Sequence, residues 1–250
     1  MMRRPVALLA LCASLVLSTQ APAAELPQRW VSAGGALSEW ISALGGEARL
    51  VGVDTTSQIR KAGVRVELFS SKAELAAVDE KLKHLGQLLG AEQQAAVLAS
   101  GYHQQLDALQ AKVRQARAEQ KAPGVLLLVG HAGAKPLIAG QGTAGDWLLS
   151  QAGGRNLAEH QGYKNFSSEA LAALDPDVIV FSDRALADEQ ALQALLKENP
   201  ALAASRAVRE KRLVSLDPTL LVGGLGPRLP ATLQLLAATF YPAAKTSLAQ

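Results

Sequence analysis

Two arginines in this 250-residue sequence have the side chain best suited to holding a carboxylate. Arg228 follows the glycine-rich run Gly223–Pro227, which would let the backbone come close to a ligand. A guanidinium group presents a planar fork of donors that matches the two oxygens of a carboxylate. Arg184 follows the apolar run Val178–Phe181 and is the second candidate. The alternative for both is an arginine that is only solvated in a loop.

Three further residues, His131, His160 and Tyr163, have side chains that could coordinate a metal ion. His131 follows the apolar run Val125–Val129, whereas His160 and Tyr163 share one loop. A histidine in a loop is also often only solvated, so both interpretations stay open. The sequence has no phosphate-binding loop, no nucleophile elbow and no His/Asp/Glu cluster at metal-binding spacing. We therefore predict no enzyme activity.

The first 23 residues have the features of a secretory signal peptide. Arg3 and Arg4 precede an apolar run from Val6 to Leu17, and the small residues Ala21–Ala23 follow. This run is shorter than the roughly 20 apolar residues that a membrane-spanning helix needs. We therefore expect a soluble mature protein outside the cytoplasm.

Charge and cysteine content exclude several other classes. Removal of the peptide lowers the basic residues from 25 to 23, against 22 acidic ones. This balance gives no indication of a nucleic-acid partner. The single cysteine, Cys12, lies inside the peptide, so the mature chain is expected to have neither a disulfide nor a thiolate metal site.

One long helix organises the rest of the chain. Apolar residues recur at three- and four-residue steps between Ala91 and Gln120, and no proline interrupts this stretch before Pro123. A helix of that length reaches roughly 45 Å at 1.5 Å per residue. We predict an α/β fold of two lobes, joined by this spine helix at residues 91–121. The lobes are assigned to residues 24–90 and 122–250.

Strands alternate with helices on both sides of the spine, which favours parallel sheets flanked by helices. Strands are predicted at Arg29–Ser32, Leu50–Val53, Val64–Leu68, Val125–Val129, Val178–Phe181 and Arg212–Leu216. Helices are predicted at Ala36–Leu44, Lys72–Leu89, Ala144–Ala152, Ser168–Leu174, Gln190–Lys197 and Pro230–Phe240. Set against the second half, the first half is shorter by about one βα unit.

Four segments resemble the periplasmic haemin-binding proteins of bacterial haem-import ABC transporters, which belong to the helical-spine class of substrate-binding proteins. These segments are Val31–Glu39, Leu50–Ser57, Ala139–Asp146 and Gly223–Arg228. The first two favour the haemin branch, and the others mark the wider class. The resemblance implies a periplasmic protein that captures haemin between two lobes and delivers it to an inner-membrane permease. It also implies an outer-membrane haem receptor upstream, and we expect a monomer.

The sequence departs from the family after Ser57. There the family has a segment with the tyrosine that binds haem iron, followed by a helix whose glutamate docks on the transporter. This chain passes directly into Gln58–Gly63, as though an internal stretch had been removed. The first-lobe iron ligand and docking glutamate of the family therefore have no counterpart here.

The resemblance gives roles to the residues that remain. Arg228 and Arg184 are assigned to the haem propionates, and His160, Tyr163 and His131 are the candidates for the iron ligand. Glu169 resembles the second-lobe glutamate that meets an arginine pocket on the permease; the alternative is a carboxylate that only stabilises a helix N-terminus. The alternatives for the whole protein are a corrinoid or ferric siderophore on the same scaffold, or a variant that binds no ligand.

Overall fold

The spine helix is present as predicted. The computed structural model describes residues 29–32, 34–53, 67–131, 134–182, 193, 196–197 and 199–244. In it, helix α3 spans Glu92–Glu119. Its buried side chains follow the three- and four-residue steps of the sequence pattern: Ala95, Tyr102, Leu106, Leu109, Val113 and Ala116. One face of this helix therefore packs along the hydrophobic core.

Two strands and two α-helices are described before the spine. They are β1 at Trp30–Ser32, α1 at Gly35–Ala43, β2 at Leu50–Val53 and α2 at Leu75–Leu89. Strands β1 and β2 pair in parallel, with Ser32 beside Val53. Helix α2 begins at Leu75, three residues after the predicted start at Lys72, and its N-cap is Glu74.

The strand predicted at Val64–Leu68 is wrong where it can be checked. Glu67 and Leu68 lie in irregular backbone, and the rest of that segment lies outside the described residues. The predicted signal peptide, the Asp54–Gly63 segment and most of the helix predicted at Gln190–Lys197 also lie outside them. The lobe boundaries stay predictions.

Ten α-helices and strands follow the spine in the described residues. They are β3 at Gly124–His131, β4 at Ala134–Ala139, α4 at Ala144–Gln151, β5 at Arg155–Asn156, β6 at Tyr163–Asn165, α5 at Ser168–Ala173, β7 at Val178–Ser182, α6 at Arg206–Arg209, β8 at Leu213–Ser215 and α7 at Leu229–Phe240. Among the helices described, none is long and apolar enough to cross a membrane.

The sheet of the second half is mixed, which corrects the prediction of parallel sheets. Its strand order is β6-β4-β3-β7-β8, with β5 also paired to β3. Strands β7 and β8 run parallel to β3, but β4 is antiparallel to both β3 and β6. No strand was predicted at β4, which contains Pro136, a residue that is uncommon inside sheets.

The central strands are buried on both faces, as the continuous apolar runs predicted. Val125, Leu127, Val178 and Val180 face one hydrophobic cluster, which continues through the spine to α1 and α2. The residues between them face a second cluster beneath α5 and α6. Because one core runs through both halves, the long loop that follows β8 is packed against the first half of the chain.

Candidate functional site

The loop from Asp217 to Arg228 connects β8 to α7, and we call it the junction loop. Helices α1, α2 and α3 all contact it. It includes a 3₁₀ turn at Pro218–Leu221. A side chain from each of α1, α2 and α3 donates a hydrogen bond to a carbonyl of the loop. The bonds are Trp40 Nε1 to Leu225 O at 2.9 Å, Lys81 Nζ to Gly223 O at 3.1 Å and Tyr102 Oη to Gly226 O at 3.3 Å. These bonds fix the backbone that carries Arg228.

Glycines let the loop approach the first half closely. Gly34 and Gly223 both have positive φ angles, of 105° and 84°. A Cβ atom built on Gly34 would lie 3.5 Å from the Cα of Gly223, so the two backbones are in contact. Two of the glycine-rich segments singled out in the sequence therefore meet at one place, where the two halves of the molecule join.

Arg228 lies at this junction and is fully engaged by neighbouring oxygens. Its Nε donates to Glu39 Oε1 at 2.8 Å, its Nη1 to Asp217 Oδ2 at 2.7 Å and its Nη2 to Thr219 Oγ1 at 2.7 Å. Glu39 belongs to α1, whereas Asp217 and Thr219 belong to the junction loop. The Arg228 side chain is 46% exposed, so solvent and solutes reach it.

The pKa values in this cluster reflect its ion pairs. Burial alone would raise the pKa of Asp217, but hydrogen bonds from Arg228 and Thr219 outweigh that effect and lower the pKa to about 2. The hydrogen bonds to Glu39 and Asp217 raise the pKa of Arg228 above its usual range. Arg228 therefore stays charged at any physiological pH.

His160 is packed inside the second half. Its Nε2 lies 3.3 Å from Ile138 O, and its ring lies 5.0 Å from that of Phe166. Its Nδ1 is buried and has no hydrogen-bond partner among the described residues. A Cβ atom built on Gly140 would lie 2.8 Å from Nε2, so this ring nitrogen faces protein and not an open cleft.

Tyr163 begins the edge strand β6 and pairs with Ala139. Burial raises its pKa, while hydrogen bonds with Thr143 and the backbone of Gly145 act in the opposite direction. Its strand lies four spacings from β8, which is about 19 Å at about 4.8 Å per spacing. The structure thus does not bring Tyr163 or His160 together with Arg228.

The carboxyl edge of the sheet is defined by one row of paired residues: Asn165, Leu137, Val129 and Ser182. The backbone of His131 lies just beyond this row, at the end of β3. Glu169 is exposed in the first turn of α5, which begins three residues after β6 ends at the same edge. Arg184 lies outside the described residues.

Sequence reasoning missed Glu39 and Lys81. Lys81 is 3% exposed, and burial lowers the pKa of its ammonium below the ordinary value of 10.5. One signal for it was available, because Lys81 falls on the apolar stripe of α2 between Val78 and Leu85. Glu39 gave no such signal, since its partner is 189 residues away in the chain.

Residues 52–220 match the family model described as periplasmic binding protein. A periplasmic heme binding protein from Pseudomonas aeruginosa is 48% identical, with a TM-score of 0.84 over 88% of this chain and 95% of that one. The heme-binding protein HutB of Vibrio cholerae is 29% identical, with a TM-score of 0.74 over 86% of this chain and 99% of that one.

A curated relative from Bacillus subtilis is more distant. The uncharacterized ABC transporter substrate-binding lipoprotein YvrC is 25% identical over 193 residues, which is 76% of this chain. The present chain spans 58% of the length of that relative.

Proposed function

Because this chain belongs to the periplasmic binding proteins, we propose that it binds haem at the junction of its two halves and delivers it to an inner-membrane ABC permease. The observation that carries the proposal is the position of Arg228. Its half-exposed side chain lies where the glycine-rich segments of the two halves meet, and it already pairs with two carboxylates. The 48% identity to a heme binding protein favours haem over other ligands of the same fold.

In this proposal Arg228 binds a haem propionate. A partly exposed ion pair of this kind contributes up to about 1 kcal/mol, so its loss should weaken binding by about two- to fivefold. Arg206 is a matched control, because it is an exposed arginine paired with Asp175 and Asp177 before β7, away from the junction.

Position supports a choice among the three iron-ligand candidates. Of the three candidates, His131 has its backbone at the carboxyl edge of the sheet, where ligands of open α/β sheets bind. His160 is committed to internal packing, and Tyr163 belongs to the strand farthest from β8. We therefore propose His131 as the residue to test first, with Arg184 as a second cation.

The experiment is an absorption titration of the purified protein with haemin, following the Soret band. We expect saturable binding that Arg228→Ala weakens and Arg206→Ala leaves unchanged, with His131→Ala altering the spectrum more than Tyr163→Ala. Saturable binding of cobalamin or a ferric siderophore, without a response to haemin, would assign the site to those ligands. Folded protein that responds to none would make this a variant that binds no ligand of this class.

Delivery to the permease is proposed to use Glu169, whose exposed carboxylate would meet an arginine pocket. Uptake of haem by a reconstituted transporter tests this role. Glu169→Arg should abolish uptake and leave haem affinity unchanged, whereas Glu159→Arg, an exposed charge change in the β5–β6 loop, should affect neither. Normal uptake with Glu169→Arg would remove Glu169 from the docking surface.

A further inference from the structure

Each nitrogen of the Arg228 guanidinium already contacts an oxygen of the protein. Its Nε, Nη1 and Nη2 are each within hydrogen-bond distance of an oxygen, from Glu39, Asp217 and Thr219 respectively. Glu39 Oε1 also lies 2.5 Å from Nη2 and so contacts two of the three nitrogens. A ligand carboxylate can therefore form a two-pronged pair with Arg228 only after an internal oxygen has moved away.

The charge of the cluster also opposes an anionic ligand. One guanidinium faces two carboxylates, those of Glu39 and Asp217, so the group carries a formal charge of −1. Lys81 is the other cation that contacts the junction loop among the described residues, but it is buried and donates to Gly223 O. An incoming carboxylate is thus repelled by the cluster until one of the resident carboxylates is displaced.

Glu39 is the carboxylate that can leave. Asp217 is tied to its own loop, because its Oδ1 accepts hydrogen bonds from the backbone and side chain of Thr219 at 2.9 and 2.7 Å. Glu39 hydrogen-bonds Arg228 and has no other side-chain hydrogen bond in the described part of the chain. Its side chain is 26% exposed, so water can solvate the carboxylate once it is released.

We propose that Glu39 sets the ligand affinity of this site by competing with the ligand carboxylate for Arg228, a proposal that rests on the haem-binding function proposed above. In the ligand-free protein Glu39 holds the guanidinium in place. On binding, a propionate takes over the Nε and Nη2 donors, and Glu39 turns toward solvent. The exchange also breaks the ion pair between α1 and the junction loop, so ligand binding loosens one link between the two halves.

The test compares wild type with Glu39→Gln in titrations with haemin and with haemin whose propionates are esterified. Removing the competing charge should tighten haemin binding by about two- to fivefold, the range expected for a partly exposed ion pair. The esterified compound has no carboxylate to exchange, so its affinity should not change. Glu47→Gln, which alters a carboxylate just after α1 that contacts Ser42, is the matched control and should affect neither titration.

The outcomes separate this inference from the function on which it rests. Unchanged or weaker haemin binding by Glu39→Gln, while Arg228→Ala still weakens it, would overturn the competition and leave the binding function intact. Equal tightening toward both compounds would also overturn it, because the gain would not involve a carboxylate. No haemin binding by any variant, wild type included, would refute both.

Discussion

Replacing Lys81 with methionine is expected to stabilise the folded protein near neutral pH, although it removes one anchor of the junction loop. Lys81 is 3% exposed, and its Nζ donates one hydrogen bond, to Gly223 O at 3.1 Å. Within the part of the chain that the structure describes, it forms no ion pair with a carboxylate. Lys81 is therefore a buried charge whose one hydrogen-bond acceptor is a neutral carbonyl oxygen.

The magnitude follows from the opposing contributions to the free energy of unfolding. Burying an ammonium group costs several kcal/mol, while one hydrogen bond from a charged donor offsets about 1.5–3 kcal/mol of this. Gly223 is only half-buried, so its carbonyl can bind water when the lysine is absent. Methionine has a similar length and fills the space with apolar atoms. We expect a gain of about 1 kcal/mol, or a rise in Tm of about 2–4 °C for a chain of this size.

The stability difference should also depend on pH. Burial lowers the pKa of Lys81 below its ordinary value of 10.5, so below that lowered pKa both states carry the charge and the full burial penalty applies. As pH rises from the lowered pKa toward 10.5, the folded state loses its proton first and the unfolded state binds more protons. Wild-type stability therefore rises relative to Lys81→Met in this window, and the advantage of the variant shrinks.

Thermal unfolding followed by circular dichroism, from neutral pH toward pH 10.5, measures both effects. Tyr102→Phe is the matched control, since it removes a neutral donor to Gly226 O, relieves no charge and should lower stability by about 1 kcal/mol at neutral pH. A fall in Tm for Lys81→Met similar to that of Tyr102→Phe would refute the reasoning. It would mean that the folded protein supplies this ammonium with a counter-ion.

Two further predictions concern the acid range and the packing of the spine. Hydrogen bonds from Arg228 and Thr219 lower the pKa of Asp217 from 3.8 to about 2, so this carboxylate stabilises the folded state above pH 3.8 and loses that effect as pH falls toward 2. Asp217→Asn should therefore make Tm fall less steeply with acidity over this range. An unchanged slope would contradict the ion pair. Gly153→Ala should lower stability by about 2 kcal/mol or more, since Gly153 has a φ of 87° and a new Cβ would lie 2.6 Å from Val113 Cγ1. Gly101→Ala, inside α3, should instead raise Tm, because a new Cβ there would have open space around it. Equal effects of the two changes would argue against this packing.

The elements of the fold were predictable where their pattern is local. The spine helix and strands β3 and β7 were found because periodicity and continuous apolar runs report directly on burial. Strand β4 was not predicted: its Pro136 disfavours a strand locally, and the strand is held by pairing with β3 and β6. The start of α2 was misplaced by three residues, because the helix begins after Glu74, which is not a common N-cap residue and makes no side-chain capping bond.

The candidate site was predictable only in part. Arg228 could be singled out from its own chemistry and from the glycines before it. The three iron-ligand candidates were equally plausible by residue type, since a sequence does not say which strand lies at the edge of a sheet. The strand pairing places them differently in the sheet: Tyr163 belongs to the edge strand β6, while His131 ends the central strand β3.

The sequence by itself determined the α/β character, the long helix, the membership of a binding-protein family and the arginine best suited to a carboxylate. These depend on residue type, on short-range periodicity and on motifs whose members are close together in the chain. Tertiary structure alone decided what that arginine contacts. Glu39 and Arg228 are 189 residues apart, and they meet because packing of α1 against the junction loop brings two glycine-rich backbones into contact.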